Sequence, residues 1–594
     1  VDINDQLLFC RVISGGKIGS NKGIGIDRNI KLPYTTSKDR DIIKLAIEKN
    51  YNNFCLSFAS SGEDVNSFRK LFPYKVHIIS KIESRMGLNN LREICKESDE
   101  ILIDRGDLSR DIELSSIIFC QKKITNISIE EKTPVNIATN LLESMIESNQ
   151  PTRAEISDIT NALDDGASGL VLAAETAIGS NPVNSVKVIK RVINQFNKNK
   201  FTGLNPSKNS YIGDLITPHG GSTIDPSFNG TLNGKEPKIK INKNQLSDCI
   251  QIVSGTYSPL DGFMNMEELM SVLDNNKLKS GCSWPIPIIL QIDKKQVELI
   301  GNSKDVLIKN INFNNCDLVL QDVKIEKLNK VSEIAKKWFL TESINHPGVD
   351  TLFNSGDYIL SCKVKLKGDN RIKRASYQLS PAQVRRIFTE KYYSKIVGFH
   401  TRNIPHKGHE FIQKTALKKV DADALFISPV LGNLKSGDFN SNSIIDSYNI
   451  LIDEKNYEPF DVLLGGINTY SRFSGHREAI FTAICRQNYG CTHFIIGRDH
   501  AGIGDYYKDI DIEEYANLFK DLKIKILFFN EVIFDIEKKE YKENTFKNSY
   551  DKNFRKISGT ICREYIKDNK VPPDYLLSES ISKVLIKSSN KFNE

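Results

Sequence analysis

Two stretches of this chain alternate short apolar runs with ten or more residues of helical spacing, and that alternation limits the fold most. In the first stretch, residues 1–198, the apolar runs are 53–59, 76–80, 100–103, 135–139 and 169–173. In the second, from Ser394 onward, they are 395–399, 424–427, 462–465, 493–496 and 525–529. Strands joined through intervening helices pair in parallel, so both stretches are predicted as parallel β/α units. The second reads as an open sheet, whose ligands bind beyond the carboxyl ends of its strands.

Between them the pattern breaks. Residues 199–234 carry Pro206, Pro218 and Pro226 among many Gly, Ser and Asn, and read as a linker. Short β-like runs at 284–292, 306–308 and 358–366 then predict a β-rich domain with few long helices. At 594 residues the chain is too long for a single core. The expected division is 1–198, 199–234, 235–382, 383–537 and 538–594.

A net charge of +7 with no dense Lys/Arg block suits anionic ligands and argues against nucleic acid as partner. The eleven cysteines include no Cys-x-x-Cys pair, so no zinc is expected, and free thiols in a reducing, cytoplasmic compartment fit better. There is no apolar run of about 18 residues and no signal peptide, so no membrane partner is expected. The start at Val1 reads as a processed product or a fragment.

Six of the nine histidines (His400, His406, His409, His476, His493 and His500) fall in the second β/α stretch. The sharpest segment is Phe399-His400-Thr401-Arg402-Asn403-Ile404-Pro405-His406-Lys407-Gly408-His409. A strand is predicted to end at Phe399 and a helix to begin near Pro405, with His406 and His409 on one face of its first turn. Free amides and the positive dipole end would point the same way. Two imidazole donors there could hold phosphate oxygens as charge develops, and Arg402 offers a fork for a tetrahedral oxyanion. Surface histidines or a metal pair are the plainer readings of such spacing, the metal pair being disfavoured by the lack of a nearby third ligand. A second segment, Gly497-Arg498-Asp499-His500-Ala501-Gly502, again runs from an apolar strand into a glycine-bearing polar loop. Its glycines let amides approach an anion; alone it could be an ordinary turn.

The first segment resembles the Gln-x-Arg-Asn-x-x-His-x-x-His signature of ATP sulfurylases (sulfate adenylyltransferases), and the second matches that family's Gly-Arg-Asp-His-Ala-Gly loop. The likeness spans about 380 residues, from Pro218-His219-Gly220-Gly221 through Trp284-Pro285-Ile286-Pro287 to Ser558-Gly559-Thr560 and Arg563. It implies sulfate at His400, Arg402 and the Ala501 backbone. It implies ATP, carrying magnesium, along His400, Thr401, Arg402 and Asn403 and along Gly497, Arg498, Asp499 and His500. Thr401, Arg402, Asn403, His406 and His409 would be catalytic, with adenosine 5′-phosphosulfate and pyrophosphate as products and a homo-oligomer as the assembly. The chain departs from the pattern at His400, where the family has glutamine, and at Ser428, where members often carry histidine. No Gly-x-x-x-x-Gly-Lys-Ser/Thr loop appears, so no fused adenylylsulfate kinase is expected.

The first stretch is similar to the second half of a pyruvate kinase barrel. The likeness rests on Lys81-Ile82-Glu83, Arg105-Gly106-Asp107-Leu108, Ala138-Thr139-Asn140 and Pro151-Thr152-Arg153-Ala154-Glu155. By that resemblance Lys81 would neutralise a phosphoryl group, Glu83 and Asp107 would bind a divalent metal, and Thr139 would lie at the proton-transfer position. Without it, Lys81 and Glu83 would read as a surface ion pair. About five of eight barrel units are expected, entering near residues 8–25, through truncation, completion by a second chain, or decay to a relic. No pyruvate kinase turnover is expected unless the missing half is supplied. The expected architecture is multidomain α/β: a partial barrel, a β-rich PUA-like domain, a Rossmann-like nucleotidyltransferase domain and a small C-terminal α/β segment. Another nucleotidyltransferase with the same His-x-x-His start, or a non-catalytic nucleotide sensor, are the alternatives.

Overall fold

A computed structural model describes residues 2–4, 7–9, 34–202, 215–308, 316–368, 377–391, 393–432, 436–497, 506–507, 510–544 and 553–593. The chain divides into two compact units, Val1–Asn205 and Pro206–Glu594.

The first unit holds five parallel strands, Asn53–Leu56, His77–Ile82, Glu100–Asp104, Val135–Ala138 and Gly169–Val171, paired in chain order. All five lie within or beside the predicted apolar runs. Among the described residues the sheet is an open path that does not close into a barrel. Its two faces differ as the side-chain alternation requires. Ile78, Ser80 and Ile82 are buried beneath the helices. The opposite face carries a polar row, with Glu100 accepting from Asn136 Nδ2 at 2.6 Å and meeting His77 Nε2 at 3.1 Å.

The second unit begins with a six-stranded, mostly antiparallel sheet centred on the pair Cys316–Lys327 and Tyr358–Gly368. It also carries helices Lys243–Val253, Met266–Asn275, Lys294–Ile300, Val331–Phe339 and Pro347–Asn354, more helix than the β-like runs indicated. Of the run 284–292 only Gln291–Ile292 is strand. Pro285 and Pro287 lack the N–H that a ladder needs, so the preceding segment packs without pairing.

A second parallel sheet follows, five strands in the order Asp461–Leu464, Ala424–Pro429, Ile396–Thr401, His493–Gly497, Lys525–Phe529. The chain leaves the central strand Ile396–Thr401 in one direction and returns on its other side at His493–Gly497. That reversal opens a crevice at their carboxyl ends, the place where open α/β sheets bind ligands. The two segments singled out in the sequence emerge there. Helix His476–Tyr489 is buried along all 14 residues. Its Ile480, Phe481 and Ile484 pack into the core of the mostly antiparallel sheet's domain, while Ala479 and Ala483 pack under this parallel sheet. Arg477 within it donates to the Leu273 carbonyl at 2.9 Å, the Pro285 carbonyl at 2.9 Å and Asn276 Oδ1 at 3.0 Å. It thereby satisfies the Leu273 carbonyl in the last turn of helix Met266–Asn275, one of the end carbonyls that a helix cannot pair internally.

Candidate active site

The turn after Ile396–Thr401 is built by its own polar residues. Thr401 Oγ1 accepts from the Asn403 N–H at 3.0 Å, and Ile404, fully buried, pins the loop to the core. The helix then runs Lys407–Val420, two residues later than predicted. His406 is its cap, with extended φ −92° and ψ 166°, and its Nδ1 accepts from the His409 N–H at 3.3 Å. The two imidazoles therefore meet by stacking, 3.8 Å between centroids at 26°, rather than side by side on a helical face. Phe399 closes edge-on against His409 at 5.1 Å. The free amides expected at this helix start are also fewer. The Lys407 N–H goes to the Leu576 carbonyl at 3.0 Å, and that of His409 is taken by the cap.

Burial settles the charge of the pair. It pushes His406 well below the ordinary histidine value, with His409 adding to the effect, and lowers His409 to about 4. Both rings are neutral near pH 7. Since Nδ1 of His406 accepts, its single proton sits on Nε2.

Arg402 makes no hydrogen bond or salt bridge among the described residues. Its charge reaches the buried Glu478, whose carboxyl is raised by burial although the Arg472 and Ser474 N–H groups donate to it at 3.0 and 3.1 Å. Among the described residues Asn403 keeps a buried Oδ1 without a hydrogen-bond partner. His400 is half-buried, and its Nδ1 faces Arg486 Nη2 at 2.5 Å. Among the described residues a Cβ on Gly497 would meet nothing within 4 Å. The expected residues Arg498, Asp499, His500 and Ala501 lie outside the described residues.

Two further contributors carried no role in the sequence reading. Helix Gly559–Lys567, capped by Ser558, brings Gly559 against Asn403, where an added Cβ would stand 3.0 Å from Asn403 Cγ. Arg563 of that helix holds Asp438 at 2.8 Å. Arg486 is the second: its partners His400 and Ser428 are 86 and 58 positions away, a distance over which local spacing carries no signal.

In the first unit Lys81, Glu83, Asp107 and Thr139 come together, joined by Asp104, which the sequence reading passed over. Lys81 Nζ pairs with Glu83 Oε1 at 2.5 Å and Asp104 Oδ2 at 3.0 Å, and Thr139 Oγ1 donates to Asp104 at 2.8 Å. Burial opposes the Lys81 charge, but the two carboxylates outweigh it and hold its value above the ordinary one. Oxygens of Glu83, Asp104 and Asp107 lie within 4.8 Å of one another, a hard-donor set suited to a divalent cation. His219, Cys282 and Asp521 also converge, but Nε2 of His219 donates to the Ser283 carbonyl at 2.6 Å and Asp521 accepts the Ser283 N–H at 2.9 Å. That cluster serves to hold a turn.

Comparison with known proteins finds a family match for each of the three regions. The pyruvate kinase barrel domain family matches residues 1–186, the PUA-like domain family 216–368 and the ATP-sulfurylase family 375–588. A solved pyruvate kinase from Cryptosporidium parvum is 39% identical over 29% of this chain and 37% of its own, with a TM-score of 0.28. The sulfate adenylyltransferase of Staphylothermus marinus is 35% identical over 386 residues, 63% of this chain and 98% of that protein. That of Pyrococcus abyssi is 35% identical over 387 residues, 64% of this chain and 99% of that protein. With a relative matched across nearly its whole length, the chain belongs to the sulfate adenylyltransferase, or ATP-sulfurylase, family.

Proposed function

We propose that the second unit joins sulfate to the adenylyl group of ATP, forming adenosine 5′-phosphosulfate and releasing pyrophosphate, or runs the reverse. The observation that carries this reading is the stacked, neutral His406–His409 pair at the crevice where the strand order reverses. A sulfate oxygen attacks the α-phosphorus of MgATP in line with the departing pyrophosphate. No side-chain nucleophile is needed, so positioning and charge stabilisation supply the rate. Arg402, held by no protein partner among the described residues, offers two parallel N–H donors to the sulfate. The Nε2–H of His406, with its stacked neighbour, donates to oxygens on which charge builds as pyrophosphate leaves. A neutral donor binds the ground-state phosphates less tightly than a cation would, which favours the transition state over the substrate. Magnesium arrives with the nucleotide.

His406→Ala and Arg402→Ala are each expected to lower sulfate-dependent pyrophosphate release by about 100-fold or more without unfolding the chain. Molybdate in place of sulfate should give futile ATP cleavage. Near-native turnover by either variant would count against the reading.

The site of the first unit supports a metal-holding role better than pyruvate kinase turnover, because Lys81 is tied between Glu83 and Asp104. Among the described residues no helix is long and apolar enough to cross a membrane, and nine cysteines are free, which suits a reducing cytosol.

A further inference from the structure

The two positions at which this chain departs from the family pattern turn out to be neighbours. His400 and Ser428 are register partners on adjacent parallel strands, and one buried side chain joins them. Arg486, 2% exposed, donates from Nε and Nη2 to Ser428 Oγ at 2.9 and 2.8 Å, and from Nη2 to His400 Nδ1 at 2.5 Å. Ser428 in turn donates to the Phe399 carbonyl at 3.0 Å, so the hydroxyl presents its lone pairs to the guanidinium. Among the described residues Arg486 makes no salt bridge, and its hydrogen bonds go to Ser428 and His400.

A guanidinium has donors only. The imidazole nitrogen it meets must therefore offer a lone pair, which leaves the His400 proton on Nε2. We propose that Arg486 is a positioning residue of the sulfate site: it fixes His400 in the Nε2–H tautomer, so that the ring donates as the family's glutamine amide would. This rests on the adenylyl-transfer reading above. Ser428 suits the arrangement because a hydroxyl can accept from two guanidinium nitrogens while anchored to the strand. Beside His400 lies a cavity of about 20 Å³, room for one water. Its other titratable lining groups are Tyr257, Tyr470, Arg472, Glu478 and Cys485. Glu478 is occupied by the backbone amides of Arg472 and Ser474, and Arg472 by Asp248 and Tyr470. Arg486 bonds Nδ1 of His400, and Arg402, in the turn that follows the His400 strand, adds a positive charge nearby.

A double-mutant cycle on the full chain tests the assignment, reading sulfate KM and kcat separately from pyrophosphate release. Arg486→Gln is expected to raise sulfate KM about 10-fold while kcat falls less than about 3-fold, and in a His400→Ala background the same change should move KM less than about 2-fold. In Arg486→Gln alone, sulfate KM should fall as pH is lowered from about 8 to about 6, because the released ring can take a second proton and attract the dianion. The native enzyme should show no such trend. An equal cost of Arg486→Gln in both backgrounds, or the same pH profile with and without Arg486, overturns the proposal. Should Arg486→Gln fail to fold, Ser428→Ala, which removes the anchor with little change in volume, is put through the same cycle under the same criterion. Absence of any sulfate-dependent pyrophosphate release by the native chain would instead sink the adenylyl-transfer reading itself.

Discussion

His406 and His409 show how a residue's role can be set by what surrounds it rather than by what it is. Spacing alone allowed a cationic pair, a metal pair or two surface rings. Stacking and burial leave only a neutral pair, because protonating either ring would place a charge where water cannot reach it. The consequence for stability has a definite sign. His409 titrates near 4 in the folded chain, against about 6.5 when unfolded. Between those values the unfolded chain binds a proton that the native chain refuses, so stability is complete above about pH 6.5 and declines as pH falls toward 4. His409→Gln removes one such group. Its melting temperature should fall less steeply across that window than the native chain's, as thermal melts at successive pH values would show. Equal slopes would mean that the ring is not buried as described.

Glycine near a helix start is ordinarily a weak point that alanine would strengthen by up to about 1 kcal/mol. Gly408 is an exception, and the reason lies in the element that contains it. A Cβ there would stand 3.2 Å from Cε1 and Nδ1 of His406 and 3.3 Å from Cγ2 of Ile557. His406 cannot retreat, since it is stacked on His409 and bonded to the helix it caps. Gly408→Ala is therefore expected to leave the melting temperature within a few degrees yet lower kcat roughly 10-fold, by displacing the ring from the reacting phosphate. A kcat equal to the native value would show that the ring has room to move. Elements of this kind were only partly legible in the sequence. The parallel strands could be read because each is a short apolar run between helices, and the run at 525–529 is the strand Lys525–Phe529. The strand Cys316–Lys327 was missed because a bulge between Gln321 and Lys324, with Asp322 at φ 57°, breaks the two-residue alternation. The cap at His406 was misplaced because proline tolerates several positions around a helix start, and only the extended backbone at 406 decides which one is used. The His-x-x-His pair could be picked out from spacing; the Arg486 contact could not, since it forms only when the sheet and helix His476–Tyr489 pack.

At the scale of the whole chain the two units pose different physical problems. The first is an open parallel sheet whose face away from the helices is lined by His77, Glu100, Asn136 and Lys81 rather than by a continuous apolar layer. Such a face tolerates water, which lets the sheet persist without closing, although among the described residues the strands Asn53–Leu56 and Gly169–Val171 each keep one edge open to pairing. Its Lys81 is already matched by two carboxylates, so no ADP-dependent pyruvate formation is expected in a lactate-dehydrogenase-coupled assay; robust turnover there would reverse that view. The second unit is expected to need nothing from the first for its chemistry. The residues placed at its described site, from His400 to Gly559, lie beyond Pro206, and the match to the Pyrococcus abyssi protein spans 99% of that relative with 64% of this chain. Its cores are closed by its own elements: helix His476–Tyr489 fills the seam between the PUA-like domain and the catalytic sheet, and helix Gly559–Lys567 completes the crevice. A chain beginning at Pro206 is therefore expected to keep kcat and both substrate KM values within about 2-fold of the full chain, the scale at which distant, independent sites add. Steady-state pyrophosphate release from the two proteins side by side decides the matter. If the shortened chain folds, as judged by a cooperative melt, and yet loses activity, the first unit supplies something the crevice requires, and the independence of the two units fails with it.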